Sequence, residues 1–128
     1  MVRPRAALLL MFALGVFADT YTPDDVKVLG ALDYGQSSDA VEYSGTPKYD
    51  AFVFNGNGGD KIDVTVKSPD RTAYVAVADG TLKELASGSN HLTFTLPNRG
   101  PDLEAYYIVF RDSESKPGRF TVELKKGS

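Results

Sequence analysis

Hydrophobic and polar residues alternate with a period of two along most of the chain. The clearest run is residues 61–67, where Ile62, Val64 and Val66 alternate with charged or hydroxyl-bearing side chains. Successive side chains of a strand point to opposite faces, so this pattern predicts a half-buried antiparallel strand. Residues 50–54 alternate in the same way around two phenylalanines, which predicts a second strand of the same kind.

A glycine-rich segment, residues 55–60, separates these two strands. Its sequence is NGNGGD, and glycine, asparagine and aspartate tolerate the positive φ angles that tight turns require. We therefore predict that the chain reverses here and that the two strands form a hairpin.

Further strands follow from alternating or continuous apolar runs. They are predicted at residues 26–32, 40–43, 72–78, 81–86, 91–96, 105–111 and 119–125. Asp79-Gly80 is a strong hairpin signal, and Ser87 to Asn90 predicts another turn. About eight short strands with frequent turn signals indicate an antiparallel all-β sandwich or barrel, and no stretch shows helical periodicity.

The first eighteen residues have a different character. Arg3 and Arg5 form a basic start, and the apolar run 6–17 is shorter than the ~20 residues that a membrane span needs. Small side chains end this run, which predicts a signal peptide, residues 1–18, cleaved before Asp19. The alternative is an uncleaved membrane anchor. Cleavage would place the protein in the periplasm or outside the cell, with no membrane contact afterwards.

The rest of the chain is expected to form one domain. Residues 19–31 are predicted to be a polar leader with a candidate edge strand at its end, and residues 32–128 to be the β-sandwich. We expect a monomer in which no peptidase domain precedes the sandwich.

Charge and cysteine content exclude several functions. Loss of the predicted signal peptide removes two of fourteen basic residues and none of seventeen acidic ones, so the formal charge goes from −3 to −5. The charges are scattered, without the basic stripe that nucleic-acid binding needs, and an anionic membrane is disfavoured as a partner. The absence of cysteine excludes disulfides, thiolate catalysis and cysteine-bound zinc.

The residues that catalysis would need are sparse. His91 is the only histidine; Ser87 and Ser89 lie in a predicted turn rather than a nucleophile elbow. The alternation around His91 indicates a solvent-facing strand residue, and a single histidine disfavours catalytic zinc. No pair of carboxylates lies in a recognisable motif. We expect a non-enzymatic protein, with a small hydrolase as the less favoured alternative.

Two sets of residues are candidates for ligand binding. Asn55, Asn57, Asp60 and Asp63 surround the predicted turn and offer the oxygen ligands that calcium prefers; local turn chemistry is the alternative. No other cofactor is expected.

Tyrosine is the residue type that best suits surface recognition here, with seven in the chain and no tryptophan. Tyr107 is predicted to lie opposite the core face of its strand, exposed beside Arg111, and Tyr74 is a further candidate. Tyr34, Tyr43 and Tyr49 are also available. The alternative for each is a ring packed in the sandwich with its hydroxyl at the rim. The lack of tryptophan weakens the case for a strong carbohydrate platform.

Five short stretches occur in the order seen in the bacterial pre-peptidase C-terminal domain family. They are Asp50-Ala51-Phe52-Val53-Phe54, Gly59-Asp60-Lys61-Ile62-Asp63-Val64, Val77-Ala78-Asp79-Gly80, Tyr106-Tyr107-Ile108-Val109-Phe110 and Gly118-Arg119-Phe120-Thr121-Val122. They correspond to the family's D-x-F-x-F, G-D with an alternating strand, D-G, Y-Y-I-x-V and G-x-Y/F-T-x-x-V patterns, with Phe110 and Leu124 in place of the final valines of the last two. The chain thus resembles that family over residues 32–125.

The resemblance implies a jelly-roll-like sandwich without enzymatic activity. Such domains accompany secreted peptidases and serve secretion, folding or attachment, and some relatives bind collagen, other polymers or calcium. The expected partner is an extracellular polymer or a secreted protein. A structural envelope protein is the alternative that remains.

Overall fold

The computed structural model describes residues 20–127, and strands account for most of them. The strands are β1 (Val26–Ala31), β2 (Gln36–Ser37), β3 (Val41–Tyr43), β4 (Tyr49–Gly56), β5 (Lys61–Lys67), β6 (Ala73–Ala78), β7 (Glu84–Ser89), β8 (His91–Thr95), β9 (Glu104–Asp112) and β10 (Gly118–Lys126). A 3₁₀ turn, Pro23–Asp25, precedes β1. The predicted signal peptide, residues 1–18, lies outside the described residues.

Two five-stranded sheets pack face to face. Sheet A has the order β1-β4-β9-β6-β7, and sheet B has the order β2-β10-β5-β8 with β3 also paired to β10. Neighbouring strands are antiparallel except β1, which runs parallel to β4. The predicted all-β, jelly-roll-like sandwich is confirmed. The described residues form ten strands rather than about eight, and β2 lies between residues 33 and 39, where no strand was predicted.

The period-two pattern decides which side chains enter the core. On β5, Ile62, Val64 and Val66 are at most 2% exposed and face sheet A. The phenylalanine-rich strands β4 and β9 supply the other half of the core, and Phe110 of sheet A meets Phe120 of sheet B edge to face. Strand β6 is apolar on both faces because it lies inside sheet A between β9 and β7.

The predicted hairpin between residues 50–54 and 61–67 is wrong. Strand β4 pairs with β1 and β9 in sheet A, whereas β5 pairs with β10 and β8 in sheet B. The glycine-rich segment is therefore a corner that carries the chain from one sheet to the other. The backbone of Leu96 holds it, donating to Asp60 O at 2.8 Å and accepting from Gly59 N at 2.9 Å.

The hairpin predicted at Asp79-Gly80 is confirmed between β6 and β7. The carboxylate of Asp79 fixes this turn by accepting from Thr81 N at 2.9 Å and from Lys83 N at 3.1 Å. The turn predicted at residues 87–90 is shorter than expected, because β7 continues to Ser89. Only Asn90, at φ 63°, takes a left-handed conformation there.

The segment before β1 is more than a polar leader. Strand β1 forms the edge of sheet A, as predicted, but Tyr21 is only 7% exposed. Thr20 bridges to Lys83 beside β7, and Tyr21 N donates to Leu82 O at 2.8 Å. Residues 20–25, called the strap below, therefore cross the outer side of sheet A from one edge to the other. Within residues 20–127, no helix is long and apolar enough to span a membrane.

Candidate functional site: the aromatic face of sheet A

The outer side of sheet A carries aromatic side chains where an exposed strand face usually carries polar ones. Tyr49 of β4, Tyr74 of β6, and Tyr107 and Arg111 of β9 all lie there, and the strap adds Tyr21. These five residues are called the aromatic face. All but Tyr21 are partly exposed, so the face presents rings to solvent.

Arg111 links two of the tyrosines. It is paired across the sheet with Tyr74, and its guanidinium carbon lies 4.9 Å from the Tyr74 ring centroid and 5.9 Å from that of Tyr49. Both distances are within the range of cation–π attraction. Nη1 of Arg111 donates at 2.9 Å to Asp112 O and to Ser113 O. Within residues 20–127 the buried Nε has no hydrogen-bond partner. The guanidinium is therefore held in place by stacking and by two backbone acceptors.

Small residues form a trough in the middle of the face. Ala51, Ala76, Ala78 and Val109 are all fully buried, and they form one apolar cluster with Tyr21. Outward-facing alanines on central strands leave room above the sheet, and the Tyr21 ring fills that room. The strap is thus seated by shape as well as by its backbone contacts.

Glu84 anchors two tyrosine hydroxyls. Its Oε1 accepts a hydrogen bond from Tyr21 at 2.6 Å and another from Tyr74, and the two hydroxyl oxygens are 3.3 Å apart. Burial, followed by the bond to Glu84, raises the pKa of Tyr21 and of Tyr74 above the ordinary value. Both phenols consequently stay neutral donors at physiological pH.

The strap gives a first testable prediction. Tyr21→Phe keeps the ring and removes a hydroxyl that donates to a carboxylate, so we expect the free energy of unfolding to fall by ~1.5–3 kcal/mol. Urea unfolding would measure this. Tyr107→Phe is the matched control: within the described chain its hydroxyl has no hydrogen-bond partner, so it should change stability by less than ~0.5 kcal/mol. Equal stability of the two variants would show that the Tyr21–Glu84 bond does not hold the strap.

The three predicted binding residues come together. Tyr107, Arg111 and Tyr74 share the aromatic face, because alternate residues of β9 point outward and the β9–β6 register brings Tyr74 beside Arg111. Their placement agrees with the sequence interpretation, while their role in binding stays a prediction. Sequence reasoning missed Tyr21 and Glu84. The available signal was an isolated tyrosine in a polar segment, and it did not reveal a partner sixty-three residues away.

The four candidate calcium ligands do not converge. Asn55 continues the outward row of β4, whereas Asp63 lies on the outer side of sheet B beside Thr93, which donates to it at 2.6 Å. Asp60 Oδ2 accepts from Asn57 N at 2.9 Å and from Tyr34 at 2.8 Å, and the Asn57 bond is the main cause of its lowered pKa. In residues 20–127 no three acidic, histidine or cysteine side chains form a metal-binding group. Asn57 and Asp60 thus serve the corner turn.

The remaining aromatic candidates and the histidine lie elsewhere. Tyr43 is 2% exposed and donates to Lys48 O at 2.6 Å, and Tyr34 packs on Phe54. Both rings therefore pack in the sandwich, which was the alternative to contact with a ligand. His91 is exposed on the outer side of sheet B, with Nε2 3.4 Å from Asp63 Oδ1. It therefore lies on the opposite side of the sandwich from the aromatic face.

Comparison with known proteins shows the fold. No protein-family model and no curated protein sequence matches the chain. Among solved structures, the pre-peptidase C-terminal domain of collagenase from Bacillus anthracis is similar, with a TM-score of 0.58 at 15% identity, covering 83% of this chain and 100% of that one. The similarity lies in the two-sheet architecture.

Two weaker structural similarities are to periplasmic inhibitors of g-type lysozyme. The protein from Aeromonas hydrophila has a TM-score of 0.48 at 14% identity, covering 78% of this chain and 99% of its own. The protein from Salmonella Typhimurium has a TM-score of 0.47 at 18% identity, covering 79% and 98%. These scores are too low to bear on the function of this chain.

Proposed function

We propose that this protein is a non-enzymatic binding module that attaches to an extracellular polymer or a secreted protein through the aromatic face. The proposal includes export to the periplasm or the exterior, and a divergent relationship to pre-peptidase C-terminal domains. The ordered sequence motifs support that relationship together with the shared fold.

The observation that carries the proposal is the contrast between the two outer faces. The outer side of sheet B bears lysine, aspartate and threonine, as on Lys61, Asp63 and Thr65 of β5. The outer side of sheet A bears tyrosines and an arginine instead. Tyrosine and arginine are enriched at the centres of recognition surfaces because they combine large contact area with a polar tip.

Fixed geometry also favours recognition. The Arg111 guanidinium is held by two backbone oxygens, and the Tyr21 and Tyr74 hydroxyls are held by Glu84. Side chains that are already ordered lose little conformational entropy when a ligand arrives, so weak individual contacts add up to useful affinity. The only histidine lies on the opposite side of the sandwich, away from this surface.

A pull-down tests the proposal. Protein purified from cells that express the full chain would be offered insoluble glycans, collagen and the source's own secreted proteins, with calcium and then with a chelator. We expect saturable retention on one class. Loss of retention on chelation would show that binding depends on calcium. Absence of retention on every class would overturn the proposal in favour of a structural role.

A further inference from the structure

A small pocket lies where the strap meets the start of β4. Thr20, Tyr21, Thr22 and Asp25 of the strap form one wall, and Lys48 and Tyr49 form the other, around an open space of about 210 Å³. The pocket adjoins the aromatic face because Tyr49 belongs to both. It exists only because the strap is seated over sheet A.

The chemical groups of the pocket are free to meet a ligand. Among the described residues, neither the Asp25 carboxylate nor the Lys48 ammonium forms an ion pair within 4.0 Å or a side-chain hydrogen bond. The Lys48 ammonium lies 5.4 Å from the Tyr49 ring centroid, and the Tyr21 ring meets Tyr49 edge-on at 4.9 Å. The pocket thus combines an aromatic ring, an acceptor, a donor and two hydroxyls.

We infer that this pocket binds one sugar ring of a glycan whose further units run along the aromatic face. The inference rests on the proposed function and names the ligand class. A pyranose has an apolar C–H face, which packs on an aromatic ring, and a rim of hydroxyls, each of which both donates and accepts. The Asp25 carboxylate accepts from such hydroxyls, the Lys48 ammonium donates to them, and the threonine hydroxyls do either.

The size and shape of the pocket favour a polymer over a free small molecule. Pockets that enclose drug-sized ligands span roughly 300–1,000 Å³, so this one takes a single ring and leaves the rest of the ligand outside. The Arg111 guanidinium and the Tyr74 ring lie next to Tyr49 and extend the surface beyond the pocket. A chain of sugars meets both parts at once, which raises affinity without a tryptophan platform.

Titration of the wild-type protein on a glycan array, followed by calorimetry with the oligosaccharide that binds, tests the inference. Asp25→Asn and Lys48→Met should each weaken that binding at least about tenfold, since each removes one charged partner of the sugar. Asp24→Asn is the matched control, because Asp24 is the adjacent exposed carboxylate and does not line the pocket. It should stay within about twofold of the wild type. Thermal unfolding would verify that all variants fold alike.

Different results separate this inference from the proposed function. If the protein is retained on a polymer in the pull-down but binds no glycan on the array, the inference is overturned and the binding module stands. Equal affinity of Asp25→Asn, Lys48→Met and the wild type also overturns it, by placing the sugar elsewhere. Competition by glycylglycine rather than by oligosaccharide would identify a zwitterion site and likewise contradict it. If no polymer or protein retains the chain in the pull-down, the glycan inference and the proposed function are both overturned.

Discussion

Replacing Asp112 by Asn should lower the free energy of unfolding by ~3–5 kcal/mol, the usual cost of breaking a buried charge pair. Asp112 is fully buried at the end of β9. Its Oδ1 accepts from Arg71 Nε at 2.8 Å, and its Oδ2 accepts from Arg71 Nη2 at 2.8 Å. Oδ2 also accepts from the backbone of Glu114 at 2.9 Å and of Lys116 at 3.0 Å. An asparagine has one oxygen and one amide nitrogen at this position. Its nitrogen would face either the Arg71 guanidinium or the backbone N–H groups of residues 114 and 116, so two donors would face each other.

Glu42→Gln provides the matched control for Asp112→Asn. Arg119 also meets a carboxylate through Nε and Nη2, both at 2.7 Å from Glu42 Oε2. Those side chains are 64% and 72% exposed, against 25% and 1% for Arg71 and Asp112. Exposed pairs contribute ~0–1 kcal/mol because water screens them and the side chains lose entropy. Urea unfolding should show a much larger loss for Asp112→Asn than for Glu42→Gln. Equal losses would contradict the assignment of Asp112 as the anchor of the turn between β9 and β10.

The same residue gives stability a pH dependence. The Arg71 guanidinium, followed by the backbone donors of residues 114 and 116, holds the pKa of Asp112 well below its usual range. In the unfolded chain the pKa of this carboxyl is ~3.9. Below about pH 4, Asp112 is therefore protonated in the unfolded state but still ionised in the folded state. The contribution of Asp112 is complete above the unfolded pKa and is lost as pH falls toward the folded one. The stability gap between wild type and Asp112→Asn should therefore narrow on acidification.

Phe110→Ala should cost ~3–5 kcal/mol, as large aromatic truncations in a packed core do. The ring is fully buried, stacked 6.3 Å from Phe52 within sheet A and set edge-on 6.0 Å from Phe120 of sheet B. It therefore joins the two sheets at one end of the core. Removing the ring leaves a cavity between the two sheets.

Leu103→Ala is the control for the core variant, since Leu103 is 63% exposed. It should change the free energy of unfolding by less than ~0.5 kcal/mol. In urea, Phe110→Ala should shift the midpoint with an unchanged m-value, as expected for a two-state domain that still folds to the same structure. A loss below about 1 kcal/mol would show that the core relaxes to fill the space, against the interlocked packing described here.

The fold was predictable where the pattern is local. Alternation in β5 identified its buried face, and the Asp79-Gly80 signal identified the β6–β7 turn, because both depend on neighbouring residues. The partner of β4 was not predictable in this way. The glycines of residues 55–60 allow the chain to reverse, but the choice between a hairpin and a corner depends on which distant strand completes each sheet. That choice is made by packing over the whole domain.

The candidate site was likewise predictable only where its residues are close in sequence. Tyr107 and Arg111 are four residues apart on one strand, so a shared face followed from the period of two. Tyr74 joined them through the β6–β9 register, which no local pattern encodes. The strap was the largest omission: its residues are polar and irregular, and its seat is a trough of alanines contributed by separate strands. Small residues on an outward face are a sign of a covered surface only once the strands are assembled.

Affinity for the polymer identified by the pull-down would show whether the aromatic face is the binding surface. Tyr49→Ala with Tyr107→Ala alters the aromatic face, and Thr65→Ala with Thr93→Ala makes an equal number of changes on the outer side of sheet B. We expect the tyrosine double variant to lose at least about tenfold in affinity and the threonine double variant to bind like the wild type. Unchanged affinity of a folded tyrosine double variant would contradict this expectation, because the polymer would then be bound somewhere other than the aromatic face.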